Sequence, residues 1–305
     1  MSIALRRRGV LYARDAETAR AAGDPESLWA TGAPIHLPRA LALGRHRSAI
    51  GRTLRSFDAW RVGASFREDV AHRLRRSRGF ALRGSSVNSG DAREIEKAHA
   101  DAPVARDLWA KLSWVATDAR DRSLRVRFSF GPELPDAWGR DARLAVAADR
   151  FAEAAFPECT AITRDRALVA RVERLAGAPV RFSERIVYSN APGGGAALHH
   201  DAEKRQLGVV YGQLAGETAW VAAPNSLVRE LTRGRPPKET PALIRALVAR
   251  GALIRLRAGD ALILPSPRPG VFAWHSVFAL GERPSLSLSF GIFAGREPAT
   301  SAGAS

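Results

Sequence analysis

Cysteine is nearly absent from this chain: Cys159 stands alone among 305 residues. A single thiol excludes an intrachain disulfide, a thiolate-caged zinc and an iron–sulfur cluster held by this chain alone. A metal bound here must therefore take nitrogen and oxygen ligands. The stretch FPECTAI offers no base beside Cys159, so the thiol reads as a small buried hydrophobe rather than a nucleophile. Long apolar runs are also missing. No stretch of about 18 consecutive apolar residues exists to span a membrane as a helix, and the start, MSIALRRRGVLYARDAETAR, holds no apolar segment long enough for a secretory signal. The expected location is the cytoplasm.

Lysine is scarce, with 4 against 43 arginines, yet the formal charge is +16. A genome that favours arginine accounts for the ratio but not for the excess of base over acid. Some positive field is therefore real, and it allows a nucleic acid or another polyanion as partner. No recognised nucleic-acid-binding motif accompanies the charge. Clusters such as Arg6, Arg7, Arg8 and Arg73, Arg75, Arg76, Arg78 read equally well as solvated helix faces. The content of 46% hydrophobic and 26% charged residues is that of a folded protein with a sizeable core.

No internal repeat is found. Residues 1 to about 105 read as a helical and irregular N-terminal region packing on the core. SFREDVAHRLRR sets Val70 and Leu74 four apart on a helical face, and LRGSSVNSGDAR is a turn-rich break. His36, His46, His72 and His99 have no partners in sequence and read as structural or solvent-facing. Residues 106–294 form the expected main domain, with a small, polar tail over 295–305. SLRVRFSFG alternates as a strand, with Leu124, Val126, Phe128 and Phe130 on one face. PDAWGRDARLAVAADRFAEAAFP predicts a helix with Asp136 as cap and Pro157 past its end. TRDRALVARVERLAG predicts a second, opened by Thr163 and closed by Gly177, with Leu168, Val172 and Leu175 on its buried stripe.

After Gly177 the period becomes strand-like. VRFSERIVYS, ALHHDA, LGVVYGQL, TAWVAA, LIRLRA, ALILPS, FAWHSVF and SLSLSFGIF are separated by PGGG, LAGE, RAGD and PSPRPG. About eight short strands at that spacing predict an antiparallel sandwich or barrel. One helix interrupts them, KETPALIRALVARG, with Thr240 at its cap, Pro241 in its first turn and Gly251 at its stop. The fold class expected is α+β with a mainly β core.

Histidine is scarce as well, seven in all, yet His199 and His200 stand together beside Asp201. On a strand, alternation turns His199 and Asp201 to one face and His200 to the other. The one other histidine of the C-terminal half, His275 in FAWHSVF, lies 74 residues past Asp201. Two imidazoles and one carboxylate on one face of an octahedral ion leave three cis positions open, the donor set of non-haem iron(II) oxygenases. Zinc more often receives a tetrahedral site with one open position. The PGGGAAL run invites comparison with a phosphate-cradling loop, but it leads into HHD and another strand rather than a helix. A tight turn beside an open mouth is the better reading.

These residues resemble the iron(II)- and 2-oxoglutarate-dependent dioxygenases, cupin/Jumonji-like or prolyl-hydroxylase-like, whose fold is a double-stranded β-helix (a jelly-roll barrel). The resemblance covers about 180–293 and implies a barrel buttressed by helices. AGDALILPSPRPGVFAWHSV is similar to the family's stretch ahead of the distal histidine. The resemblance implies His199, Asp201 and His275 as ligands of Fe(II), with 2-oxoglutarate and O2 as cosubstrates. Its implied reaction is hydroxylation of a C–H bond with release of succinate and CO2. Arg283, eight residues past His275, is the implied partner of the far carboxylate of 2-oxoglutarate, a bidentate role suited to a guanidinium. Ser285 and Ser287 come after it on the same inner face, and Tyr188 adds a hydroxyl. Jumonji-like branches use a lysine where GQLAGETAW has Thr218, a departure that leans further on Arg283. The substrate expected is organic: a small molecule, a peptide or a protein side chain. Two alternatives stay open, a cupin-type metalloenzyme not using 2-oxoglutarate and a non-enzymatic basic binding module. An outward-pointing Arg283 would favour the first.

Overall fold

The structure, a computed structural model, describes residues 24–75, 77, 79–87, 92–133 and 141–295. Arg6, Arg7, Arg8, Arg76, Arg78 and Asp136 lie outside them. The change of period after Gly177 marks the start of a closed double layer. Its strands are β6 (Val180–Asn190), β7 (Gln206–Ala215), β8 (Glu217–Pro224), β9 (Leu253–Arg257), β10 (Ala261–Pro265), β11 (Ala273–Ala279) and β12 (Ser285–Ala294). One layer runs β10-β7-β12-β6 and the other β11-β8-β9, every pair antiparallel. The segment 194–199 adds an edge to the smaller sheet. Val277 N–H donates to the Ala196 carbonyl at 3.0 Å, and His199 and His275 exchange backbone bonds of 2.9 and 2.8 Å. Eight segments thus pass between two facing sheets, which is the double-stranded β-helix. ALHHDA is the one expected strand that is not a full strand: pairing ends at a bridge between His199 and His275.

The larger sheet does not stop at the barrel. Beyond β6 it continues through β5 (Leu124–Phe130), β4 (Ala105–Trp114), β3 (Glu94–Ala102) and β2 (Ala81–Ser86), and β1 (Ile35–Leu37) closes its other edge against β10. So the N-terminal region contributes strands as well as helices. β2 overlaps LRGSSVNSGDAR, read from sequence as a break. It is an edge strand exposed along most of its length, so no apolar alternation marks it.

Helices cover the outer face of this sheet: α1 (Pro25–Thr31), α2 (Arg47–Arg61), α3 (Phe66–Leu74), α4 (Ala142–Ala155), α5 (Thr160–Thr163) and α6 (Arg166–Ala176). Leu124, Val126 and Phe128 of β5 meet Phe151 and Phe156 there, in one core with Leu286, Leu288 and Phe290 of β12. α4 begins at Asp141, whose Oδ1 accepts from the amides of Arg143 and Leu144 at 3.0 Å. α6 begins at Asp165, which caps Ala167 and Leu168 in the same way, two residues later than the expected Thr163. Asp holds two orphan first-turn amides and complements the helix dipole. Gly177 closes α6 with φ +67°, and Leu168, Val172 and Leu175 are its buried stripe. α7 (Asn225–Thr232) and α8 (Pro241–Ala249, capped by Thr240) cover the outer face of the smaller sheet, where Val228, Ile244 and Leu247 pack on Val221 and Leu253. None of the described helices is long and apolar enough to cross a membrane.

One buried ionic group ties β6 to α4. Arg185 reaches Glu153 at 3.1 Å and the Asp149 backbone carbonyl, while Ser183 donates to Asp149 at 2.7 Å. These groups face the helices, away from the barrel interior.

Candidate metal centre

The barrel interior is lined by Val209, Leu264 and Val277 with Tyr211 and Trp220. At its mouth His199, Asp201 and His275 offer ligand atoms that all lie within 4.8 Å of one another. His199 Nε2 stands 3.4 Å from Asp201 Oδ1, and His275 Nε2 stands 3.4 Å from Asp201 Oδ2. Asp201 comes after the bridge in a loop rather than on a strand, so the pair converges at the end of the pairing instead of by strand alternation. The two imidazole rings are 4.2 Å apart between centroids.

Each ligand is held by its neighbours. His199 Nδ1 lies 2.7 Å from the Ala197 carbonyl. A carbonyl can only accept, so the proton sits on Nδ1 and leaves the Nε2 lone pair toward the centre. Trp220 stacks on His275 at 5.3 Å with an interplanar angle of 28°, and its ring is fixed by Tyr211 at 4.4 Å. Trp220 Nε1–H donates to Thr218 Oγ1 (3.1 Å), and Thr218 donates to Gln213 Oε1 (2.9 Å). The hydroxyl at the position where a lysine was looked for is thus engaged as donor and acceptor, holding Trp220.

The glycine turn supports the same geometry. A Cβ on Gly194 would overlap the Asp121 carboxylate and Ser123, and one on Gly195, with φ +148°, would overlap the Val277 carbonyl. Asp121 Oδ2 accepts from Gly195 N–H at 3.0 Å, and Glu239 accepts from Leu198 N–H. The run is a close passage between a carboxylate and β11, which only glycine fits.

Charge distribution suits a cation. Burial opposes ionisation of Asp201, but His275 and His199 beside it hold its carboxyl well below the ordinary range. Burial lowers His275, leaving a neutral imidazole able to donate a lone pair. At His199 burial acts the same way, but the bond to Asp201 and its charge outweigh it and the net shift is upward. The donor set of two neutral nitrogens and one carboxylate, two of the three held by backbone or stacking, fits a divalent first-row metal.

Beside the triad opens a cleft with about 400 Å³ of empty space, whose walls include Val115, Tyr188, Asn190, Tyr211, Trp220 and Ser289. Burial and then the charge of Asp201 push the Tyr188 phenol up to about 12, so it is a neutral hydroxyl. Ser287 faces inward and bonds the Tyr211 hydroxyl; Ser285 is buried at the start of β12. Arg283 is not brought to this group. It is exposed in the bend ahead of β12, and the inward alternation begins only with Ser285, where pairing with β6 begins. None of the described residues lining the cleft is an arginine or a lysine. His200 turns away from the centre, as alternation requires, and packs on Phe272 and Trp274 at 4.3 and 4.8 Å.

Sequence reasoning did not single out Tyr211, Asn190, Asp121 or Glu239. Tyr211 was legible in principle, as an inward position of LGVVYGQL. Asp121 and Glu239 come from loops that carry no period.

No family model matches the sequence, and no curated protein does. Solved structures do match in fold. The Escherichia coli ribosomal oxygenase YcfD is 15% identical, with 87% of this chain and 49% of that chain covered and a TM-score of 0.33. This chain thus spans about half the length of YcfD. A 2OG-Fe(II) oxygenase family oxidoreductase from Burkholderia pseudomallei is 12% identical over 92% of this chain and 95% of that one, with a TM-score of 0.39. The non-heme alpha ketoglutarate dependent epimerase SnoN, from nogalamycin biosynthesis, is 15% identical over 92% and 93%, with a TM-score of 0.37. The chain resembles 2OG-Fe(II) oxygenase structures, and the resemblance is one of fold.

Proposed function

We propose that this protein is an Fe(II)-dependent oxygenase that uses 2-oxoglutarate and O2 to hydroxylate a C–H bond of an organic substrate, releasing succinate and CO2. One observation carries the reading: the convergence of His199, Asp201 and His275 at the open end of a double-stranded β-helix. Iron bound there supplies the site for chelating a 2-oxo acid and activating dioxygen. The chain's own residues hold, orient and shield. His199 and His275 donate Nε2, fixed by the Ala197 carbonyl and the Trp220 ring, and Asp201 supplies the negative charge. Tyr188 and Ser289 offer neutral hydroxyls to a bound oxygen-rich ligand, while Val209, Leu264 and Val277 exclude water from the inner wall.

The test is metal and cosubstrate binding under anaerobic conditions, then turnover in air. The purified protein takes up one Fe(II) and then forms succinate from 2-oxoglutarate. Asp201→Ala and His275→Ala each weaken Fe(II) by more than about a hundredfold, since losing a direct ligand costs more than losing an outer-shell one. Stoichiometric Fe(II) in either variant removes that residue from the centre. The outward Arg283 and neutral cleft favour one second reading, a metal-dependent oxygenase whose cosubstrate lacks a second carboxylate. Turnover with 2-oxo monocarboxylates and none with 2-oxoglutarate would establish it.

A further inference from the structure

A dicarboxylate cosubstrate needs a cation for its far end, and neither place suggested by sequence supplies one: Thr218 is neutral and engaged, and Arg283 is exposed. The sheet offers another. Across four strand pairings one transverse row runs Ser113, Arg125, Tyr188, Ser287, Gln213. Leu124, Val126 and Phe128, the alternate residues of β5, are in the helix-side core, so Arg125 leaves the opposite face, the face on which Tyr188 lines the cleft. Direct partners on antiparallel strands have Cα atoms roughly 4.5–5.5 Å apart, well within an arginine's reach. The end of the same β4–β5 hairpin borders the cleft: Val115 lines it, and Asp121 and Ser123 bond the amides of Gly195 and Ala191.

We propose that Arg125 is the carboxylate-binding residue of this site, drawing the far end of 2-oxoglutarate toward β5 beside the Tyr188 hydroxyl; this rests on the function proposed above. Arg125 is half-buried, with Nε held by Ser113 Oγ at 3.2 Å. That bond fixes one edge of the guanidinium to a neutral partner and orients the fork. Its charge reaches the site, since among its effects it opposes the rise of the Tyr188 and His199 values. A cation outside the barrel wall, on the strand before its first, would give this chain a cosubstrate orientation different from one set by β8 or β12.

The experiment compares the Fe(II)-loaded protein with Arg125→Gln, Arg125→Lys and Arg283→Gln, titrated without oxygen and monitored by calorimetry and by the visible absorption of the iron–2-oxo acid chelate. The probes are 2-oxoglutarate and 2-oxobutyrate, which chelate alike and differ in the far carboxylate. Arg125→Gln weakens 2-oxoglutarate roughly ten- to hundredfold, the scale of a charged hydrogen bond, and leaves 2-oxobutyrate unchanged. Arg125→Lys recovers part of the preference, and Arg283→Gln keeps all of it. Equal losses for both acids, or an unaltered preference for 2-oxoglutarate in Arg125→Gln, overturns the assignment. If the parent binds iron but neither acid, the oxygenase reading itself fails, a result separate from any variant.

Discussion

The barrel and the four strands that extend it are one sheet built under two regimes. β12 is buried over nine of its ten residues, because both its faces are covered. β2, at the far edge, has no buried residue. In between, β5 alternates, with an apolar face under the helices and Arg125 and Arg127 on the other. Where two sheets face each other, charge is driven to the helix side and compensated, as Arg185 is. Where the second sheet ends, the same face can carry arginines next to the metal. The barrel contributes ligands and dryness, the extension contributes charge, and their meeting line is the row through Arg125 and Tyr188.

The largest contrast is expected from removing one arginine on each side. Arg185→Ala, in the barrel's first strand, leaves Asp149 and Glu153 unopposed beneath α4 and costs about 3–5 kcal/mol, the scale of breaking a buried pair. Urea unfolding measures it. A loss under about 1 kcal/mol would mean that the barrel's outer face is as solvated as the extension. Next comes Thr218→Val, which keeps shape and removes the hydroxyl between Gln213 and Trp220. Leaving Trp220 Nε1–H without an acceptor costs about 1–3 kcal/mol. Because Trp220 stacks on His275, Fe(II) affinity falls with stability. Unchanged tryptophan fluorescence and iron affinity would show that the relay does not position the ligand.

Glu184 sits where the two regimes meet, on β6 with φ +57° and 3.6 Å from Arg127 of β5. Burial, with Glu203 adding to it and Arg127 opposing, pushes its carboxyl up to about 8. A raised carboxyl value means the folded state binds more protons than the unfolded one between about pH 4.5 and 8. This group's contribution to stability is therefore full below that window and lost as pH rises through it. Glu184→Gln removes the dependence. The gap between variant and parent should shift in the variant's favour from about pH 5 to about pH 9, read from urea midpoints. Parallel curves would show Glu184 ionised throughout, paired with Arg127.

The same division decides what could be read from the sequence. Double burial leaves strong signals, so seven of the eight barrel segments were legible from apolar strands and turn chemistry, and two histidines were legible because so few exist. The third-ligand geometry was only half legible. Asp201 converges from a loop, and its spacing from His199 survives although the strand ends at the bridge. Arg283 failed for a local reason: eight residues past His275 falls in the bend, since β11 ends at Ala279 and β12 opens only at Ser285. β2 and Arg125 failed for a general one. An exposed strand has no period, and a cation that acts across a strand pairing has no fixed distance in sequence from what it serves.

The smallest effect should come from that unreadable edge. Arg83, on β2, pairs with Asp101 at 3.2 Å and Asp107 at 3.0 Å, and its side chain is 49% exposed. Exposed pairs of this kind contribute about 0–1 kcal/mol and are screened by salt. Arg83→Ala should lower stability by less than about 1 kcal/mol, with the difference shrinking between low and high salt, and leave Fe(II) affinity untouched. The value of the measurement lies in its distance from Arg185: both are arginines on strands of one sheet, each with two acidic partners. If Arg83→Ala instead approached the cost of Arg185→Ala, or loosened iron, the edge would be folding cooperatively with the metal-bearing barrel. The extension would then be a structural part of the barrel rather than a charged margin laid beside it.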